Sequence, residues 1–191
     1  SSNTISAGVC TGLGVPPSSI NEVIGITKAY CTRVGSGPFP TELSNEVGEK
    51  LRKLGLEFGA TTGRPRRCGW LDLIQLKYVM MINGVTQLVM TKIDVLDEFD
   101  RIGVANAYQF NGETTEDLPF DVTDQIHKPV LEYYQGWGCS LDGLTTYDEL
   151  PSQAQYYVEA LEEKLGVYFS MISTGPEREK LVLRRVSQPS L

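Results

Sequence analysis

The chain alternates between segments with a two-residue apolar period and segments with a helical one. Over residues 23–34 the order Val-Ile-Gly-Ile-Thr-Lys-Ala-Tyr-Cys-Thr-Arg-Val is rich in β-branched residues and largely alternating, which predicts a single strand. It empties into Gly35-Ser36-Gly37-Pro38-Phe39-Pro40-Thr41-Glu42, a loop placed where ligand loops lie in α/β sheets and equally suited to a plain connection. Residues 46–54 put Val47, Leu51 and Leu54 on one helical face, with Gly55 as the stop. Residues 71–82 are mostly apolar, so a second, buried helix is expected there, closed by Asn83-Gly84. A compact strand over 86–90 follows, with Thr91-Lys92-Ile93-Asp94 at its carboxyl end. Residues 102–110 and 130–134 predict further strands, with a turn at Asn111-Gly112 and hence an antiparallel lobe. The clearest helix covers 151–165: Ala154, Tyr157, Val158, Leu161 and Leu165 share a face, Pro151 starts it and Gly166 ends it. Residues 167–172 read as a core strand ending at Ser173-Thr174-Gly175-Pro176, and 181–186 as a weaker strand before a frayed tail. Residues 8–19 are too broken by glycine and proline for a long element. Helices followed by strands in this order predict an α/β fold.

Composition narrows the function. A length of 191 residues with 41% hydrophobic content is ample for a real core. A net charge of -7 and a pI near 4.8 argue against a broad nucleic-acid surface, so anions must be caught at local sites. No apolar run is long enough to span a bilayer and no signal pattern opens the chain, which makes the cytoplasm the expected location. The first residues are Ser-Ser-Asn with no initiator methionine, as expected of a processed or partial chain. Cys10, Cys31, Cys68 and Cys139 form no C-x-x-C pair, so they read as reduced structural thiols rather than zinc ligands. His127, the only histidine, falls in a polar loop segment and reads as solvated rather than catalytic.

Against this acidic background the stretch from Glu57 to Trp70 stands out, because it compresses hydroxyls, glycines and three arginines into one loop. Pro65 fixes its own φ and biases Arg64 away from helix. Arg64 and Arg66 are therefore expected two apart on extended backbone, side by side, a pairing that suits a carboxylate or phosphate. Gly59 and Gly63 let the backbone approach a ligand, and Thr61 and Thr62 add hydroxyls. Taken alone, the cluster is as compatible with a surface loop whose arginines pair with neighbouring carboxylates.

Five blocks in order change that balance: Val34 to Glu42, Glu57 to Arg67, Gly69-Trp70-Leu71-Asp72, Thr91-Lys92-Ile93-Asp94-Val95-Leu96-Asp97, and Ser173-Thr174-Gly175-Pro176. Over residues 1 to about 184 the chain resembles the C-terminal part of the adenylosuccinate synthetase family. The resemblance implies a GTP-dependent ligase of purine synthesis, in which GTP phosphorylates the 6-oxygen of IMP and L-aspartate displaces the phosphate. It implies part of a mostly parallel, GTPase-like sheet over residues 1–100, carrying the aspartate/IMP loop and the guanine motif. Residues 101–191 would form a smaller antiparallel α+β lobe ending in the guanine-side loop. By the same resemblance Ala60, Thr61, Thr62, Gly63, Arg64, Pro65 and Arg66 hold aspartate, with Arg64 also touching IMP and Arg66 reaching GTP, while Val34 contacts IMP near the ribose. Lys92, Ile93 and Asp94 would recognise guanine, and Ser173, Thr174 and Gly175 would close over the base. The family's phosphate loop, catalytic residues and Mg²⁺ ligands belong to a portion with no counterpart in this sequence, so no catalytic or metal residue is assigned. The family is a homodimer, with no nucleic acid or membrane partner. A non-catalytic guanine-nucleotide-binding module derived from the ligase is the alternative.

Overall fold

The computed structural model describes residues 3–120 and 128–184; His127 and the end of the strand expected over 181–186 lie outside them. The first sheet contains β1 (Ile24–Lys28), β5 (Gln87–Thr91), β9 (Phe169–Ser173) and β10 (Leu181–Leu183), in the order β1-β5-β9-β10. Its first two pairings are parallel and the last antiparallel. The second sheet is centred on the long β6 (Arg101–Phe110), which pairs parallel with β4 (Leu71–Asp72) and antiparallel with β7 (Glu113–Thr115) and β8 (Lys128–Gln135). A small ribbon joins β2 (Cys31–Arg33) to β3 (Arg67–Gly69). The helices are α1 (Ala7–Leu13), α2 (Glu46–Leu54), α3 (Leu73–Asn83) and α4 (Ser152–Leu165). This is the expected mixed α/β fold, a mostly parallel sheet with an antiparallel set of strands beside it.

The expected elements are present with three corrections, to one strand, to one helix start and to one helix's burial: α3, expected to be buried, leaves Tyr78, Val79, Met81 and Ile82 exposed. The single strand over 23–34 is two strands, because Ala29 and Tyr30 are both buried and break the alternation. The Ala29 N–H donates to the Thr91 carbonyl at 2.9 Å, closing the first sheet, after which the chain leaves to pair with β3. The helix expected from residue 71 begins at Leu73: Asp72 caps it, accepting from the Gln75 N–H at 3.2 Å, while Leu71 and Asp72 pair with Val104 and Ala105. The glycine-rich start holds a seven-residue helix, stopped by Gly14 in the left-handed region and tied by Ser6 to Asn83.

Sequence chemistry sets the remaining boundaries. Asn45 caps α2 through the Val47 and Gly48 N–H groups, with Glu46 and Glu49 in its first turn and Arg52 and Lys53 in its last, as the helix dipole favours. Asn111 and Gly112 both take positive φ, the tight turn that folds β7 back on β6. The buried face of α4 (Ala154, Tyr157, Val158 and Leu161) joins Leu88, Met90, Phe169 and Ile172 of the first sheet and Ile102 and Val104 of β6 in one core. Burying these side chains at about 25 cal/mol per Å² is the main stabilising term.

Among the described residues β1 has no neighbour on its outer edge. Ile26 is 74% exposed there and Ile24 about half exposed, and a cleft of about 280 Å³ separates this edge from Val79 and Met80 of α3. Tyr78, Met81 and Ile82 add apolar surface on the same helix. An open edge beside apolar surface templates association, so the 191-residue chain is expected to self-associate, and Ile26→Lys to reduce it. Light scattering checks this; a strictly monomeric chain at high concentration would count against it.

Candidate ligand site at the carboxyl ends of parallel strands

The arginine loop is a closed hairpin-like turn. Phe58 and Pro65 form an isolated antiparallel bridge. Gly59 N–H donates to Arg64 O, and Gly63 N–H to Gly59 O, both at 2.8 Å, so Ala60, Thr61 and Thr62 form an exposed tip. Gly63 has a φ of 63°, a conformation a side chain would strain. Pro65 sits in the bridge with Phe58, but the arginines on either side of it differ in surroundings. Arg64 is exposed and its guanidinium has no side-chain partner among the described residues, leaving its donors open to an anion. Arg66 is half-buried and paired with Glu57 at 2.8 Å. Arg67 holds Glu42 with two hydrogen bonds of 2.8 and 2.5 Å and donates to the Gly35 and Gly37 carbonyls, which pins the glycine loop against β3. The reading of the cluster as arginines paired with carboxylates thus describes Arg66 and Arg67, and not Arg64. Val34 lies one step beyond the Arg33–Arg67 pair that ends β2, and it is 68% exposed.

Glu57 organises what lies beneath. Its side chain is fully buried and accepts four hydrogen bonds: from Lys28 at 2.7 Å, the Tyr30 hydroxyl at 2.6 Å, Lys92 at 3.1 Å and Arg66 at 2.8 Å. Burial alone would push its carboxyl up, but these four donors outweigh that and hold it at about 2. Burial, followed by the Glu57 carboxylate, pushes the Tyr30 hydroxyl well above its usual range, so it stays a donor. Lys92 has a φ of 61°, uncommon for a lysine, and its ammonium also donates to the Gly55 carbonyl at 2.6 Å.

The base-side residues converge because β5 and β9 are parallel neighbours, with Met90 paired to Ile172. Lys92 to Asp94 follow β5, where a 3₁₀ turn over Ile93–Leu96 begins, and Thr174 follows β9. Ile93 is fully buried and anchors that turn. One carboxylate oxygen of Asp94, Oδ1, is buried without a hydrogen-bond partner, and so is the Thr174 hydroxyl. Buried polar atoms in native proteins normally have partners; the Thr41 and Tyr134 hydroxyls are orphaned as well, but Asp94 and Thr174 follow adjacent strands, which makes this pair the candidate place for a ligand. Burial pushes the Asp94 carboxyl up, against the pull of its own backbone N–H, Lys92 and Lys180. The Ser173 hydroxyl donates to the Gly175 carbonyl at 2.8 Å, and Thr174 N–H donates to Lys180 O at 3.1 Å, shaping the loop. A side chain at Gly175 would meet the Lys180 side chain, which would have to swing aside. Among the described residues no group of three His, Cys, Asp or Glu could hold a metal ion.

The residues that sequence reasoning missed are Lys28, Tyr30, Gly55 and Glu57 itself. Lys28, Tyr30 and Lys92 lie 29, 27 and 35 positions from Glu57, beyond any local pattern. No local signal was available: Leu56 and Phe58 on either side of Glu57 are exposed while Glu57 is buried, the reverse of what apolar neighbours suggest.

Parallel strands with orphaned polar atoms and cations gathered at their carboxyl ends define an α/β protein with a candidate ligand site. The model of the adenylosuccinate synthetase family matches residues 1–182, and the chain belongs to that family, a family of purine-synthesis ligases. It is 53% identical over 184 residues to the adenylosuccinate synthetase of Azobacteroides pseudotrichonymphae, covering 96% of this chain and 44% of that protein. The Parabacteroides distasonis enzyme is 55% identical, with 96% and 43% covered. The fold superimposes on fully ligated adenylosuccinate synthetase from Plasmodium falciparum with a TM-score of 0.92 and 39% identity, covering 97% of this chain and 45% of that one. A cyanophage S-2L succinoaminodeoxyadenylate synthetase, 16% identical with a TM-score of 0.52, shares the fold alone. The chain thus spans less than half the length of these relatives.

Proposed function

We propose that this chain is the C-terminal part of an adenylosuccinate synthetase and forms the aspartate- and guanine-binding portion of its site. The whole protein would join IMP and L-aspartate at the expense of GTP, in the cytoplasm and as a homodimer. The observation that carries this reading is that an Asp94 carboxylate oxygen and the Thr174 hydroxyl, which follow adjacent parallel strands, are both buried without a partner. Guanine presents an N1–H and an exocyclic amine side by side, and a carboxylate can accept from both. Adenine has no such donor pair, so a site whose buried acceptor is left unpaired rejects it. The methylene stem of Lys92, fixed at its far end by Gly55 and Glu57, lies against the base. The loop of Ala60, Thr61, Thr62, Gly63, Arg64, Pro65 and Arg66 receives aspartate, its carboxylates meeting the open guanidinium of Arg64. Arg64 also reaches IMP, Arg66 reaches GTP, and Val34 flanks the IMP ribose. Ser173 and Gly175 close over the guanine.

In this reading the Mg²⁺ ligands and the groups that drive phosphoryl transfer lie in the rest of the protein, since that chemistry needs metal and positioned donors around the phosphate. Two outcomes test it. GDP, and not ADP, should shift the backbone NMR signals of Lys92 to Asp94 and Ser173 to Gly175 while leaving β7 unchanged; equal responses to both nucleotides would remove the guanine reading. The chain by itself should make no adenylosuccinate from IMP, aspartate and GTP. Turnover at the rate of a full-length relative would overturn the assignment of the chemistry to the missing portion.

A further inference from the structure

We propose that Glu57 is a positioning residue that couples the two ligand half-sites, holding the cation of the arginine loop and the cation of the base-side turn with one carboxylate. The inference rests on the reading of Arg66 and Lys92 as ligand-side residues. Glu57 itself is fully buried, 0% exposed, and so meets no ligand directly. Its Oε2 takes the Arg66 guanidinium, while its Oε1 takes Lys92 along with Lys28 and Tyr30. The backbone reinforces the same link: the Glu57 carbonyl accepts the Arg66 N–H at 3.0 Å, and Arg52 Nε donates to the Arg66 carbonyl at 2.8 Å. On the other side, Lys92 takes a positive φ and its ammonium makes two bonds, to Glu57 and to Gly55 O.

Charge gives the coupling its sign. Three cations, Lys28, Arg66 and Lys92, share this single carboxylate, each only partly exposed. The surplus positive charge favours an anion at the loop. When a carboxylate ligand draws on Arg66, Glu57 loses part of one partner and its hold on Lys92 and Lys28 tightens. The stem of Lys92 is then better fixed for a base. Coupling free energy is reciprocal, so a bound nucleotide favours the anion by the same factor. A carboxylate that only filled the core would carry no such linkage.

The test is made in the full polypeptide that carries this chain, by calorimetric titration of GDP with and without saturating L-aspartate, and of L-aspartate with and without GDP. Each ligand should tighten the other about fivefold or more. Glu57→Gln, checked as folded by circular dichroism, should reduce that factor to near one, and Glu57→Asp should restore part of it. Should Glu57→Gln fail to fold, Glu57→Asp against wild type is scored alone, with a reduced factor expected. A coupling factor unchanged in the folded Glu57 variant would overturn the inference, as would independent binding in the wild-type protein. Asp94→Asn and Arg66→Ala keep the two levels apart: if neither weakens its own ligand, the site assignment fails and the coupling with it. If both weaken their ligands while Glu57 variants keep full coupling, only the coupling fails.

Discussion

Glu57→Gln is expected to lower stability by about 3 kcal/mol at neutral pH and to lose that deficit on acidification. The carboxyl lies at about 2 in the folded protein against an ordinary 4.5, and each unit of difference corresponds to about 1.4 kcal/mol. The sign follows from the direction. A carboxyl depressed by folding contributes stability that is fully present above 4.5 and is lost as pH falls through about 2, because the unfolded chain takes up the proton first. Glutamine never titrates, and it leaves Lys28, Arg66 and Lys92 facing a neutral amide whose NH₂ is itself a donor. Asp72, Asp94 and Asp97 are all pushed up by burial and act in the opposite sense, so the informative quantity is wild type minus variant, in which they cancel. Urea unfolding at pH 7 and at successively lower pH should show the difference narrowing below 4.5. A difference that stayed constant with pH would mean that packing, and not charge, is what the glutamine loses.

Much of the frame behind these residues was legible in the sequence because it is local. Asn45 and Gly55 bracket α2, Gly84 and Gly166 close α3 and α4 in the left-handed region, and the face of α4 is visible in its spacing. Where period alone had to decide, it failed at Tyr30 and at Leu71. Each sits at a junction where the chain changes sheets, and burial on both sides erases the alternation that marks a strand. The site was legible as motifs and hidden as a network. Arg64, Arg66, Lys92 and Asp94 draw attention by type and spacing, whereas Glu57 matters only through partners that β1 and β5 deliver from far along the chain. The sequence also could not say that three arginines would divide the work: Arg67 pins a loop, Arg66 completes a buried ion cluster, and Arg64 alone stays open.

Asp94→Asn in the full-length protein is expected to weaken GTP binding about ten- to a hundredfold, which is roughly 1 to 3 kcal/mol. The native carboxylate is acceptor-only, and its Oδ1 is buried with no partner inside the protein, so a base donor can be accepted there without displacing an internal bond. Asparagine keeps one acceptor and turns an NH₂ toward a guanine donor, so one bond is lost and a donor clash replaces it. Xanthosine triphosphate carries an oxygen where guanine has its amine; it should bind the variant better relative to GTP than it binds the wild type. L-aspartate and IMP affinities should change little, because the Arg64 loop is closed by its own backbone bonds and does not lean on Asp94. Acidity offers an independent check. Because burial pushes the Asp94 carboxyl above its ordinary 3.8, wild-type GTP binding should begin to fall at a higher pH than an unburied aspartate would give, while the asparagine variant should lack that step. An Asp94→Asn protein that kept the full wild-type preference for GTP over both ATP and xanthosine triphosphate would show that another group reads the base.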